Sequence, residues 1–88
     1  MEISKMITVS TGHISKETSE LLENDKLDIV VFDKGEWGWF IHIPDDYDDF
    51  DLPIELHKLM NFAKDLNCDW LCLDCDGDVL DYFEVFDW

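Results

Sequence analysis

The residue types best suited to chemistry are crowded near the end of this chain. Aspartates at every second position from Asp74 to Asp78 flank Gly77, a spacing typical of calcium loops. An EF-hand loop beginning at Asp74 would need glycine at its sixth position and glutamate at its twelfth, where this chain has Val79 and Val85. The sequence therefore favours a solvated Asp-Gly turn over a specific calcium site, and weak binding of a divalent ion stays open.

Three cysteines overlap this acidic stretch. Cys68, Cys72 and Cys75 have the spacing by which radical S-adenosylmethionine enzymes hold an iron–sulfur cluster. If Cys72 lies in a strand that continues, Cys75 points to the opposite face, and the chain is too short for the barrel of those enzymes. A zinc site would need His42 or His57 as a fourth ligand. We therefore expect reduced cysteines that pack as small hydrophobic residues, and neither a metal nor a cofactor.

No arrangement of side chains indicates catalysis. The three histidines, His13, His42 and His57, are isolated in the sequence, and neither a nucleophile elbow nor a glycine-rich phosphate loop is present. Carboxylate pairs are frequent, but a chain with 22 acidic residues forms such pairs by chance. The sequence predicts a protein that is not an enzyme.

Hydrophobic periodicity, together with glycine and proline positions, predicts the helices and strands that hold these residues. Ser15 is predicted to cap the first helix, and Asn67 to end the second. In the third strand, alternation assigns Trp37 and Trp39 to the buried face, together with Ile41 and Ile43. The pattern predicts strands at 2–9, 27–33, 36–43 and 70–73, a short fifth strand at 82–86, and helices at 16–24 and 53–66.

This order of elements predicts one α+β domain over residues 1–88. Strand, helix, two strands, helix and strand follow one another as in the ferredoxin-like split βαβ motif. The most economical arrangement is a small antiparallel sheet with both helices on one face.

Net charge restricts the function more than any motif does. The chain has 22 acidic residues, six lysines, no arginine and a formal charge of -16. Such a chain repels nucleic acid and anionic membranes, and it attracts strongly basic surfaces. The first ten residues do not resemble a signal peptide, and no apolar run reaches the length of a membrane span, so we expect a cytoplasmic protein.

The acidic residues are concentrated in two zones. The acidic loop, residues 45–51, has five aspartates, and residues 65–88 have eight acidic residues and no lysine. If the helix between them packs antiparallel to the fourth strand, the two zones could merge at one end of the sheet. We predict that carboxylates and aromatic anchors from both zones bind a partner: Asp45, Asp46, Tyr47, Asp48, Asp49, Phe50, Asp51, Asp74, Asp76, Asp78, Asp81 and Glu84.

Four short segments, at residues 7–22, 37–44, 68–77 and 86–88, carry a resemblance. They are similar to an uncharacterised family of small bacterial proteins that are found on plasmids, prophages and integrative elements, often beside antirestriction genes. The family has no established catalytic residues. The resemblance implies a role against host defence, and the chain resembles small anti-restriction and anti-CRISPR proteins in size and charge alone.

Three hypotheses follow from the sequence. The first is a non-enzymatic inhibitor that mimics the charge of nucleic acid and occupies the basic nucleic-acid-binding surface of a host defence protein or ribonucleoprotein. The second is a regulatory module of a mobile element that binds another protein through an aromatic surface. The third is a protein that binds a divalent metal ion.

Overall fold

The computed structural model describes residues 1–88 and builds them into one sheet and two helices. The strands are β1 (Met6–Ser10), β2 (Val31–Asp33), β3 (Gly38–His42) and β4 (Trp70–Asp74). The helices are α1 (Lys16–Glu23) and α2 (Ile54–Asp65), and single 3-10 turns lie at Thr11–His13 and Tyr47–Asp49.

The sheet has the strand order β1-β4-β3-β2. β4 pairs parallel to β1 and antiparallel to β3, and β2 pairs antiparallel to β3. The predicted α+β class is confirmed, but the sheet is mixed rather than antiparallel. The order also differs from the ferredoxin-like one, in which β1 lies inside the sheet. The order of elements along the chain does not determine on which side of a given strand the next strand pairs.

Both helices pack on one face of the sheet, as predicted. Leu22 of α1 and Leu56 of α2 belong to the same buried cluster as Leu71 and Leu73 of β4. On this face Ile41 lies opposite Leu71 across the β3–β4 pair, so alternate residues of the central strands fill the core.

The strands predicted at 2–9 and 27–33 are shorter in the structure, where β1 is Met6–Ser10 and β2 is Val31–Asp33. Two further predictions about the strands are wrong. Trp37 is 55 % exposed, whereas Trp39, Ile41 and Ile43 are buried as expected. Trp37 precedes β3, and its N–H donates to the Lys34 carbonyl in the hairpin turn, so the strand alternation does not reach it. Residues 82–86 form no strand, because their backbone groups bond to the segment at residues 12–13 instead of to the sheet.

The helix ends agree with the predictions. The Ser15 side chain accepts a hydrogen bond from the Thr18 N–H at the start of α1. After α2, Asn67 adopts a left-handed φ of 61°, and its N–H donates to the Lys64 carbonyl. The Cys68 N–H donates to the Ala63 carbonyl, which completes a Schellman motif. This tight reversal returns the chain from α2 directly into β4.

Gly77 is required by a backbone contact. The turn after β4 crosses β1, and the Ser10 N–H donates to the Asp78 carbonyl over 2.9 Å. A Cβ on Gly77 would lie 2.5 Å from the Val9 carbonyl oxygen, which is closer than real Cβ contacts come. The glycine in the aspartate-rich turn is therefore explained by close packing of two backbones, and not by a metal.

Replacing Gly77 with alanine is expected to lower the free energy of unfolding by about 2 kcal/mol or more, because the backbone of β1 must move. Gly12→Ala is the matched control, since its new Cβ would meet a side-chain atom, the Ser10 Oγ at 3.2 Å, and no backbone atom. The control should cost less than about 1 kcal/mol. Urea unfolding followed by tryptophan fluorescence measures both, and equal costs would contradict this account of Gly77.

Candidate protein-binding surface

The acidic loop lies along one side of α2. It leaves β3 where β4 begins, since the Ile43 N–H donates to the Asp69 carbonyl over 2.9 Å. Asp45 pairs with Lys64 at 3.1 Å near the end of α2. The loop then runs back along the helix, and Asp48 accepts from His57 at 2.7 Å.

Tyr47 and Phe50 hold this loop in place. Both are half-buried and pack against the hydrophobic core. The Tyr47 hydroxyl donates to the Asn61 side-chain oxygen over 2.6 Å. Burial, reinforced by the negative charges of Asp48 and Asp65, raises the pKa of Tyr47. The two predicted aromatic anchors thus have a structural role inside the chain, and their role in binding a partner stays a prediction.

The last residues of the chain, 75–88, form a segment that we call the strap, and its residues 82–84 lie along the other side of α2. Tyr82 and Phe83 pack on Phe62 of the helix, with ring centroids 5.5 and 5.3 Å away. Between strap and helix runs an open groove of about 340 Å³, into which Lys58 and Asp65 also face. The acidic loop and residues 82–84 therefore flank α2 on its two long sides, whereas Asp76 and Asp78 lie in the turn that crosses β1. Contrary to the prediction from the sequence, the two zones do not merge into one patch at one end of the sheet.

Buried His13 fastens the strap to the body of the protein. Its ring is 2 % exposed, and Nε2 accepts a hydrogen bond from the Leu80 N–H at 2.8 Å. Nδ1 must therefore carry the proton, which it donates to the Glu84 carbonyl at 2.9 Å. The Phe86 N–H donates to the Gly12 carbonyl at 2.7 Å. One neutral imidazole thus satisfies two backbone groups of a segment that has no strand.

Glu55, in the first turn of α2, binds the start of α1. One carboxylate oxygen accepts from the Ser15 N–H and from the Thr18 hydroxyl, both at 2.9 Å. Partial burial alone would raise the pKa of Glu55, but the hydrogen bonds from Ser15 and Thr18 outweigh it and lower that pKa. The carboxylate also lies at the positive end of the α1 dipole.

Asp74 is not a free surface charge. Lys34 donates to one of its oxygens, and the Asp76 N–H donates to the other at 2.8 Å. The hydrogen bond from Lys34, aided by the one from Asp76, lowers the pKa of Asp74, and the Asp74 hydrogen bond raises that of Lys34. The predicted partner-binding set therefore includes two carboxylates, Asp45 and Asp74, that already pair with a lysine within the chain.

The side chains after β4 that could ligate a metal ion are poorly arranged to do so. Asp74, Cys75 and Asp76 bring ligand atoms within 4.8 Å of one another, but both oxygens of Asp74 accept hydrogen bonds. Cys68 and Cys72 are buried, whereas Cys75 is exposed, so the three thiols do not converge. This arrangement fits the packing role that the sequence predicted for the first two cysteines.

The other predicted carboxylates are solvent-exposed and form no ion pair: Asp46, Asp49, Asp51, Asp76, Asp78, Asp81 and Glu84. They lie in a loop and an irregular strap, and not in a strand, whose geometry would place alternate side chains about 6–7 Å apart. What remains is unpaired negative charge from the acidic loop on one side of α2, from Glu84 on its other side, and from Asp76 and Asp78 at the turn after β4.

Sequence reasoning missed His13 and Glu55 as organising residues. Glu55 meets Ser15 from 40 positions away, and His13 meets Leu80 from 67 positions away. A motif search within a window of a dozen residues cannot find such pairs. The one local signal was the cap at Ser15, which shows where α1 begins but not that the Glu55 carboxylate binds there.

Comparison with known proteins gives a family without a described activity. Residues 6–88 match the family described as family of unknown function (DUF5983) C-terminal domain. The chain belongs to this family. No curated protein and no solved structure matches it. Neither helix is long and apolar enough to cross a membrane.

Glu55→Gln should lower the free energy of unfolding near pH 7 by about 1 kcal/mol, because a charged acceptor at the start of α1 is lost. The folded-state pKa of Glu55 lies below its ordinary value, so its stabilisation is present above the ordinary range and is lost as pH falls through the lowered pKa. Unfolding measured from neutral pH down to about pH 3 should show the two proteins converge. Glu20→Gln, on the exposed part of α1, is the control, and a difference that persists at low pH would exclude this role.

His13→Ala should cost about 2–4 kcal/mol, because it leaves a cavity and two backbone groups without a partner. Hydrogen exchange should accelerate first at the Leu80 amide, which loses its acceptor. His42→Ala is the control, since His42 is half-buried and has no side-chain hydrogen bond, and it should cost less than about 1 kcal/mol. Unchanged exchange at Leu80 would show that His13 does not hold the strap.

Proposed function

We propose that this protein is a non-enzymatic inhibitor that binds the basic nucleic-acid-binding surface of another protein and excludes the nucleic acid. The observation that carries this proposal is the exposed, unpaired negative charge on both sides of α2. The formal charge of the chain is -16, so a cationic surface is the partner that electrostatics favours most.

The lysines of the chain neutralise few of these carboxylates. Lys34 and Lys64 each neutralise one carboxylate, and Lys5 donates to the Leu66 carbonyl at 3.0 Å. Lys58 lies in the groove beside α2 without an ion pair. Repulsion among the remaining carboxylates lowers stability, and a cationic partner would relieve it on binding.

The shape of the surface also supports the proposal. The acidic loop and the strap lie on opposite sides of one helix, and an α-helix with its side chains is about 10–12 Å wide. The phosphate rows that border the major groove of B-DNA are about 12 Å apart. A DNA-binding surface that contacts both phosphate rows could therefore meet carboxylates of the acidic loop and Glu84 across the helix.

The resemblance to proteins of mobile elements suggests the kind of target. We propose a nucleic-acid-binding protein or ribonucleoprotein of a bacterial defence system, of the CRISPR or restriction type, which the inhibitor would meet in the cytoplasm. No metal or cofactor is needed for this activity, because binding alone blocks the site.

The proposal is tested by capture from bacterial lysate on the immobilised protein, after nuclease treatment. We expect a basic nucleic-acid-binding protein to be retained at about 50 mM salt and released at about 500 mM, because screening weakens the attraction. The purified partner should then lose its nucleic acid when the inhibitor is added, as measured by a mobility-shift titration.

A pair of matched variants separates the local surface from net charge. Asp49→Asn, Asp51→Asn and Glu84→Gln together remove three charges beside α2. Glu20→Gln, Asp28→Asn and Glu36→Gln remove three exposed charges elsewhere and are the control. The first set should weaken binding at least tenfold, and the second less than about threefold. Capture of no nucleic-acid-binding protein, or equal effects of the two sets, would refute the proposal.

A further inference from the structure

The face of the sheet opposite the helices has no cover. Its centre is a shallow apolar depression of about 390 Å³ lined by Ser4, Met6, Phe32, Phe40 and Trp70. We call these five residues the aromatic face. They come from all four strands and the segment before β1, so the patch extends across the sheet.

The side chains of the aromatic face are exposed to solvent and pack against one another. Phe32 is 56 % exposed and Met6 is 49 % exposed. The Phe32 and Trp70 rings lie 6.1 Å apart, and the His42 ring meets Trp70 edge-on at 5.1 Å. Contiguous apolar surface of this kind is uncommon on a protein without a binding role, and rigid aromatic rings are the usual anchors of an interface.

Acidic grooves border this face on two sides. The groove that shares Ser4 and Trp70 with it is lined by Glu2 and Asp69 and by Asp45, which is paired with Lys64 in the same groove. On the β2 side, the groove that shares Phe32 with it is lined by three further acidic residues, Glu23, Asp25 and Asp33. An apolar centre inside a charged rim is the usual anatomy of a protein interface, and here the rim is negative.

The negative charge of this rim favours one kind of partner for the aromatic face over the others. A second copy of the chain would bring two charges of -16 together, with like-charged rims facing each other. Nucleic acid could stack bases on the rings, but it needs free cations for its phosphates, and Lys34 beside the face is paired with Asp74. The complementary occupant is a protein segment with an apolar centre and basic flanks.

We propose that the aromatic face binds a protein segment in which arginine or lysine residues flank an apolar side chain. The apolar side chain would enter the depression between Met6 and Trp70, and the cations would reach the two acidic grooves. The Lys34 ammonium lies 5.7 Å from the Phe40 ring centroid, within the range of a cation–π contact, so the rings beyond Phe40 are the ones left for a partner. The five residues of the aromatic face belong neither to the acidic loop nor to the strap, and this inference does not depend on the proposed function.

The test uses the full chain and the synthetic peptide Ac-Arg-Arg-Leu-Val-Leu-Arg-Arg-NH2, titrated while amide chemical shifts are recorded. We expect the largest shift changes at Phe32, Phe40 and Trp70. Phe32→Ser should weaken binding about tenfold, and Met6→Ser, on the opposite edge of the sheet, should weaken it as well. Ile54→Ser, which removes a 74 % exposed apolar side chain from α2, is the matched control and should change affinity less than twofold.

Three further measurements can overturn the proposal. A peptide with glutamate in place of each arginine must not bind, because equal binding would remove the role of charge. A single-stranded oligonucleotide must not shift the same amides, and sedimentation must show no dimer that Phe32→Ser disrupts. The variant Asp49→Asn, Asp51→Asn, Glu84→Gln should keep the peptide on the aromatic face. Shifts confined to α2 and the acidic loop would end this inference and leave the proposed function standing.

Discussion

The central position of β4 is the constraint on which the other elements depend. Leu71 and Leu73 are buried under the helices, and Cys72 is buried within the sheet. β4 pairs along its whole length with β1 on one side and with β3 on the other. Because the Schellman motif at Asn67 turns α2 directly into this strand, the helix must lie across the sheet and present its outer surface between the acidic loop and the strap.

The charge of the protein is tolerated because it is confined to segments outside the core. Buried positions are almost entirely apolar, and the buried polar side chains, such as His13 and Thr18, are hydrogen-bonded. No buried side-chain nitrogen or oxygen lacks a partner. Electrostatic repulsion therefore acts at the surface, where water and salt screen it, and the apolar cluster stabilises the fold against it.

The parts of the fold that could be predicted depend on local signals. The helix predicted at 53–66 spans Ile54–Asp65, because its apolar spacing is regular and a proline precedes it. The caps at Ser15 and Asn67 were found for the same reason, since each depends on a few adjacent residues. The strand at 70–73 also agrees with β4, whose three central residues are all buried, as expected for a short apolar run in the middle of a sheet.

The parts that could not be predicted depend on contacts that are distant in the chain. The apolar spacing of residues 82–86 suits a strand, but His13 and Gly12 take their backbone hydrogen bonds. The pairing of β1 with β4, and the position of the acidic zones on the two sides of α2, also follow from tertiary packing. For the candidate site, composition indicated which residues are acidic and exposed, but not that Lys34 neutralises Asp74.

The strap has a consequence for the edges of the sheet. Val9 pairs with Leu73 on its inner side and bridges Asp78 on its outer side, so the free edge of β1 is partly occupied. At the other edge, β2 is three residues long and ends at Asp33. Short, covered or charged edges prevent the strand-to-strand association that leads to aggregation. A protein that leaves one sheet face apolar thereby keeps that face open to a partner without offering its edges to a growing fibril.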